Sequence, residues 1–256
     1  MRFFNSVKYQ KKRTFRHLTM VAILLILNSC GGDSNPSDVQ SNGTIDRVAA
    51  EFNLLVPMDA TIEKLAGGFA FTEGPVWDRR NNQLYFSDLS SNAIHTWSDA
   101  EGLKTYLKPV FDGETEHAMV GSNGLNIDSE GRLLLMEHGN RVVSRIEADG
   151  SRTILADDYN GNRLNSPNDS VWHSNGWLYF TDPLYGLAGL EQDPLRELAF
   201  NGIYRLNPES GEVQLLERTQ SRPNGIALSV DERTLYVANS DENDKVWYSY
   251  EVGDRG

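Results

Sequence analysis

Phe71-Thr72-Glu73-Gly74-Pro75-Val76-Trp77-Asp78 opens a pattern that returns three more times along the 256-residue chain. Its acidic residue has counterparts in Asn123, Asn168 and Asn224, which open the cues Asn123-Gly124-Leu125, Asn168-Asp169-Ser170 and Asn224-Gly225-Ile226. From each anchor an apolar stretch leads through a turn-rich patch to a second strand-like run that ends at a fixed offset. Asp88 lies 15 residues after Glu73, His138 15 after Asn123, Asp182 14 after Asn168 and Asn239 15 after Asn224. One hairpin therefore recurs four times. Anchors 50, 45 and 56 residues apart have the period of propeller blades rather than of helical repeats or leucine-rich coils. In a propeller, equivalent positions of every blade stand at one height around a common axis, so four sequence-distant oxygens can converge on a metal ion.

Within each repeat the pattern is antiparallel β. Gln83–Ser87, Arg132–Met136, Trp177–Thr181 and Thr234–Ala238 are short runs rich in strand formers, each following a turn rich in Asp, Asn, Ser or Gly. Third strands are expected at Ala93–Trp97, Arg141–Ile146, Gly202–Leu206 and Lys245–Tyr250, and a fourth such as Val213–Leu216. A further strand is expected at Thr61–Ala66, ahead of the first full blade, and a helical turn or two at Pro194–Ala199 in a long loop. The last repeat stops directly after its third strand. Four blades do not close a usual propeller, so the expectation is a fragment of a longer protein, or a ring closed by a partner.

Residues 1–19 carry six basic residues and no acid, Met20 to Leu27 is uninterruptedly apolar, and Asn28-Ser29-Cys30-Gly31 follows. That order reads as a secretory signal over residues 1–29, too short in its apolar run to span a bilayer. The small residue before the sole cysteine resembles the lipobox of bacterial lipoproteins, which implies lipidation of Cys30 and a lipid-anchored protein of the bacterial periplasm or cell envelope. Residues 30–50, rich in Gly, Ser, Asn and Asp, read as a flexible tether, and 51–256 as the propeller domain. A single cysteine forms no intramolecular disulfide, so packing must hold the fold. Removing residues 1–29 takes away six basic residues and no acid, leaving 18 basic against 36 acidic residues, a net charge of −18. Such a charge repels phosphate backbones, so no nucleic-acid partner is expected, while it accumulates cations.

Glu73-Gly74-Pro75-Val76-Trp77, Asn165-Ser166-Pro167-Asn168-Asp169, Tyr179-Phe180-Thr181-Asp182-Pro183-Leu184-Tyr185-Gly186 and Arg222-Pro223-Asn224-Gly225-Ile226 together resemble the senescence-marker-protein/gluconolactonase family over roughly residues 67–256. The resemblance implies a six-bladed, all-β propeller of which this chain covers about four blades, and a metal-dependent lactonase acting on a sugar lactone or another small cyclic ester. By matching motif, Glu73 is similar to the family's acidic metal ligand, Asn224 to its amide ligand, and Asn168 to the asparagine at the metal or its bound substrate. An aspartate from a further blade completes the family's set. Oxygen ligands of this kind suit a hard divalent cation, Ca2+ above all, whereas Zn2+ usually brings His or Cys.

Asn-Gly is also a favoured turn pair, so Asn123 divides between turn geometry and substrate contact. His138, in Glu137-His138-Gly139-Asn140-Arg141, is a candidate for substrate binding or proton transfer, although a lone histidine is more often structural. Asp182, a second catalytic candidate, and Tyr185, a substrate-binding one, divide between blade-stabilising hydrogen bonds and the pocket. No general base is assigned. The five tryptophans read as inter-blade packing. The alternative to an enzyme is a lipid-anchored binding module whose central metal is structural, since propellers host many functions.

Overall fold

The computed structural model describes residues 43–115, 117–253 and 256; the signal-like segment, Cys30 and the first part of the tether lie outside the described residues. These fall into two units that divide between Gly68 and Phe69. In the smaller, the Arg47 guanidinium gathers the chain around a short 3-10 turn (Ala50–Leu54), bonding Asn53 Oδ1 at 2.9 Å and the Val56 carbonyl at 2.8 Å. The strand expected at Thr61–Ala66 does not form: the segment pairs with no other strand and runs into Gly67-Gly68.

The larger unit is all-β. Its first blade is β1 (Thr72–Asp78), β2 (Gln83–Asp88), β3 (Ala93–Ser98) and β4 (Gly102–Leu107), and its second β5 (Ser122–Ile127), β6 (Leu133–Glu137), β7 (Val142–Ile146) and β8 (Arg152–Ala156). A two-stranded hairpin, β9 (Asp158–Tyr159) and β10 (Asn162–Arg163), precedes the third blade of β11 (Ser170–Trp172), β12 (Leu178–Asp182), β13 (Gly202–Asn207) and β14 (Glu212–Glu217). The fourth has β15 (Pro223–Leu228), β16 (Thr234–Asn239) and β17 (Val246–Glu251). Every blade is an antiparallel meander in sequence order. The four repeats are thus four blades. In the long loop after β12 the helical turn lies at Leu190–Gln192 instead of 194–199, where Asp193 receives the Gly189 and Leu195 amides and bends the chain away.

Alternation along the second strands explains why they are apolar without interruption. Leu133 and Leu135 of β6 pack with Ile94 and Leu125 between the first two blades, while Leu134 and Met136 pack with Leu178, Phe180 and Tyr204 between the second and third. Tyr179 of β12 turns the other way, to Ile203, Ile226 and Val237 between the third and fourth. Each such side chain taken fully out of water contributes about 2 kcal/mol. Trp172 and Trp177 join these cores, as expected, but Trp77 and Trp247 are exposed.

The innermost strands meet at their first residues. β1 packs on β5, β5 on β11 and β11 on β15. A Cβ on Gly74 would lie 2.2 Å from the Asn123 carbonyl oxygen, and one on Gly124 2.5 Å from that of Asn168. Only glycine permits this approach. Pairing with the second strand is interrupted here, at 74–75, 123–124 and 224–225, which frees backbone groups to bond the next blade. Gly124 N donates to Asn168 O at 2.6 Å, Ser87 Oγ to Asn123 O at 2.8 Å and Thr181 Oγ1 to Asn224 O at 2.7 Å.

Three of the four residues at the fixed offset share a task. Asp88 accepts the Ala70 and Phe71 amides, Asp182 those of Asn165 and Ser166, and Asn239 Oδ1 that of Arg222, so each pins the chain entering its own inner strand. At the outer turns Asp78, Asp128 and Asp231 cap amides two residues on. Much of the acidity is turn chemistry.

Gly124→Ala should therefore cost about 3 kcal/mol or more by forcing two inner strands apart. Gly150→Ala, whose φ of 83° opens onto empty space, should cost only about 1–2 kcal/mol. Chemical denaturation of the two variants tests the ranking; equal losses would remove the close approach as the reason for glycine at 124.

Candidate active site

The four anchors lie at the entry ends of β1, β5 and β15 and just ahead of β11, where the blades adjoin. Asn123 and Asn168 are buried, and Glu73 and Asn224 are half-buried. Burial raises the Glu73 carboxyl above its ordinary value; the Gly74 amide opposes this and the charge of Asp169 adds to it. Asp169 is raised too, by burial, against the pull of the Ile226 and Ser170 amides that donate to it at 3.0 and 2.8 Å. Among the described residues neither carboxylate has a basic partner.

Two desolvated like charges side by side are unfavourable alone and favourable around a cation. Glu73, Asp169, Asn168 and Asn224 offer oxygen donors alone, a chemistry that fits a hard divalent ion. Among the described residues no three His, Cys, Asp or Glu side chains form a metal cluster, so any such site depends on asparagine oxygens. Asp169 is the residue that sequence reasoning passed over. Its signal was the break in pattern: Gly follows the anchor at 74, 124 and 225, and aspartate at 169.

A second group links Asn224 to Tyr185. Ser240 Oγ lies 2.7 Å from the Tyr185 hydroxyl and 3.3 Å from both Asn224 Nδ2 and the Arg222 carbonyl oxygen. With its own proton on Arg222 O, Ser240 accepts from the other two. That turns the Asn224 amide nitrogen aside, leaving Oδ1 for a ligand, and leaves the Tyr185 oxygen as an acceptor. Ser240 carried no sequence signal, being one more serine after a strand. Tyr185 is held in place by His117, whose Nε2 is 3.1 Å from the Tyr185 carbonyl oxygen.

His138 comes beside Asn123, with Nε2 3.4 Å from Asn123 Nδ2, but it has no exposed surface. Burial, with His117 nearby, lowers its pKa to about 3, so it is neutral at physiological pH. Asp182 is also fully buried, and both carboxylate oxygens are engaged by backbone amides at 2.7–2.8 Å. Burial outweighs those amides and the Arg141 charge, raising its pKa to about 7. The structure thus gathers Glu73, Asn123, Asn168, Asn224, Tyr185 and His138 at one end of the blades, and gives Asp182 the task of holding the approach to Asn168.

The family model for the SMP-30/Gluconolactonase/LRE-like region matches residues 71–256. The chain belongs to this SMP-30/gluconolactonase family. A family gluconolactonase of Zymomonas mobilis is 34% identical over 242 residues, 93% of this chain and 68% of the relative. The solved structure of a gluconolactonase from Xanthomonas campestris is 31% identical with a TM-score of 0.69, over 81% of this chain and 67% of that one. Regucalcin of Agrobacterium tumefaciens, a calcium-binding protein, shares the fold at 19% identity and a TM-score of 0.55, over 74% and 56% of the two chains. The chain spans about two thirds of the length of the two gluconolactonases. Family membership at this identity is that of a lactone-hydrolysing enzyme.

His138 titrates lower in the folded chain than in the unfolded one, so the unfolded state binds the extra proton between about pH 3 and 6.5 and the contribution is lost as pH falls through that window. The stability advantage of wild type over His138→Gln should accordingly narrow from pH 7 to pH 4 in denaturant titrations; a constant difference would mean that His138 is protonated in the fold.

Proposed function

We propose that the protein hydrolyses a sugar lactone such as gluconolactone, or another small cyclic ester, with the help of a divalent cation, Ca2+ by the chemistry of the donors. The observation that carries this reading is the pair Glu73 and Asp169, two partly desolvated carboxylates without a basic partner among the described residues, at the inner ends of the blades where Asn168 and Asn224 also stand. Glu73 would hold the cation with Asn168 and Asn224, and Asp169, tied to Ile226 and Ser170, would add its charge from behind. A cation among one or two carboxylates and neutral amides remains electrophilic and supplies polarisation of the lactone carbonyl.

The protein's own groups do the rest. Tyr185, its proton directed at Ser240, offers an oxygen to a substrate hydroxyl, and Asn123 presents a buried amide beside the anchors. Neutral His138 closes the wall behind Asn123 without adding a competing positive charge. The order of basic, apolar and small residues before Cys30 supports a lipid-anchored protein of the bacterial envelope in the same reading.

Hydrolysis of gluconolactone by the whole protein should be abolished by chelator and restored by Ca2+. Glu73→Gln should lower Ca2+ affinity at least a hundredfold, about 2.7 kcal/mol, while Asn123→Ala lowers it less than fivefold and acts on KM instead. Tight Ca2+ binding with no turnover of any lactone would favour a binding module with a structural metal. Equal affinity losses in the two variants would overturn the ligand assignment.

A further inference from the structure

Arg141 is a buried arginine with a left-handed backbone, φ 59°, a conformation that costs a non-glycine residue about 1–2 kcal/mol. Its guanidinium lies among main-chain carbonyls. Nε donates to Leu164 O at 2.7 Å and to Asn165 O at 3.2 Å, Nη2 to Arg163 O at 3.4 Å, and Nη1 to Leu195 O at 2.7 Å. The first three acceptors belong to the segment that leads through Pro167 into Asn168. The last belongs to the long loop between β12 and β13, ten residues after Tyr185 and on the far side of the Leu190–Gln192 turn.

Asp182 grips the same segment from its other side. Its carboxylate takes the Asn165 and Ser166 amides at 2.8 and 2.7 Å, so the Asn165 residue has its N–H on an anion and its C=O on a cation, both buried. Ser166 then reaches the start of the loop, donating to Pro183 O at 2.5 Å and accepting from Gly186 N at 2.9 Å, on either side of Tyr185. Three loop positions, Pro183, Gly186 and Leu195, are thereby fastened to three residues, 164–166, just ahead of an anchor.

Resting on the lactonase reading above, we propose that Arg141, acting with Asp182, is a positioning residue that couples the Tyr185 loop to Asn168, so that the substrate-facing tyrosine and the central asparagine are set as one unit. The physical basis is that a planar guanidinium bonds several carbonyls in fixed directions, which an ammonium on a flexible stem does not reproduce. The charge is not idle in this place: Asp182, Asp193 and Glu197 surround it, against Arg163.

Amide hydrogen exchange on the whole protein, without substrate or metal, reads the coupling directly. Arg141→Lys should speed exchange at least tenfold both in 163–168 and in 184–197 while leaving β2, β3 and the fourth blade unchanged, and should raise KM for gluconolactone fivefold or more with kcat within twofold. Ser166→Ala, a milder change that preserves the guanidinium, should loosen the same two segments to a lesser extent. Faster exchange in only one of them, in both variants, would overturn the coupling. So would a uniform rise across all four blades or equal losses in KM and kcat, which would reduce Arg141 to general support of the fold. Joint loosening supports the coupling even if wild type turns over no lactone, an outcome that would remove the lactonase reading alone.

Discussion

The first and second inner strands, and the second and third, come so close at their entry ends that no side-chain carbon fits between them. Everything at the centre follows from this spacing. Gly74 lies against the Asn123 carbonyl and Gly124 against that of Asn168, and the interrupted pairing beside them turns backbone groups from their own blade toward the next. The anchors are therefore held by main chain, through the Gly124 amide and the Ser87 and Thr181 hydroxyls, and not by the flexible ends of their own side chains. A site assembled in this way has its geometry fixed before any ligand arrives, which is what binding and catalysis require of it.

The acidic character of the centre is sustained by the same arrangement. A carboxylate with firm amide donors is stabilised as an ion: at Asp88 the Phe71, Ala70 and Ser91 donors hold the group below its ordinary value although burial opposes them. At Glu73 and Asp169 the balance falls the other way, because burial exceeds what one or two amides return. Asp182 shows that a raised value does not by itself mark a ligand, since burial lifts it although two amides and Arg141 hold it in the fold; Glu73 and Asp169 differ in having no basic partner among the described residues.

What could be read from the sequence was whatever repeats. The anchor spacing and the fixed-offset residues are periodic, so the four blades and the gathering of Glu73, Asn123, Asn168 and Asn224 were legible from residue order. Asp169 was hidden because it occupies a place where the other repeats have glycine, and an exception to a turn residue looks like loop variation until its neighbour Glu73 is seen. Ser240 and Arg141 were hidden because their partners are main-chain atoms or a single hydroxyl, and a carbonyl has no sequence identity to match. The Thr61–Ala66 run misled for the converse reason: strand-like composition says nothing about whether a neighbouring edge exists to pair with.

The shared cores between blades have a consequence for how such a chain can change. Leu134 and Met136 meet Phe180, and Tyr179 meets Ile226 and Val237, so each second strand answers to the blade before it on one face and to the blade after it on the other. Substitutions should then covary between successive repeats and scarcely at all between repeats one blade removed, as in a row of tiles where each edge is cut only to its neighbour. Drift in volume at one interface can be absorbed locally, while the residues at the inner ends, which every blade presents at the same height, stay where they are. Divergence of the periphery and constancy of the centre are thus two results of a single packing rule.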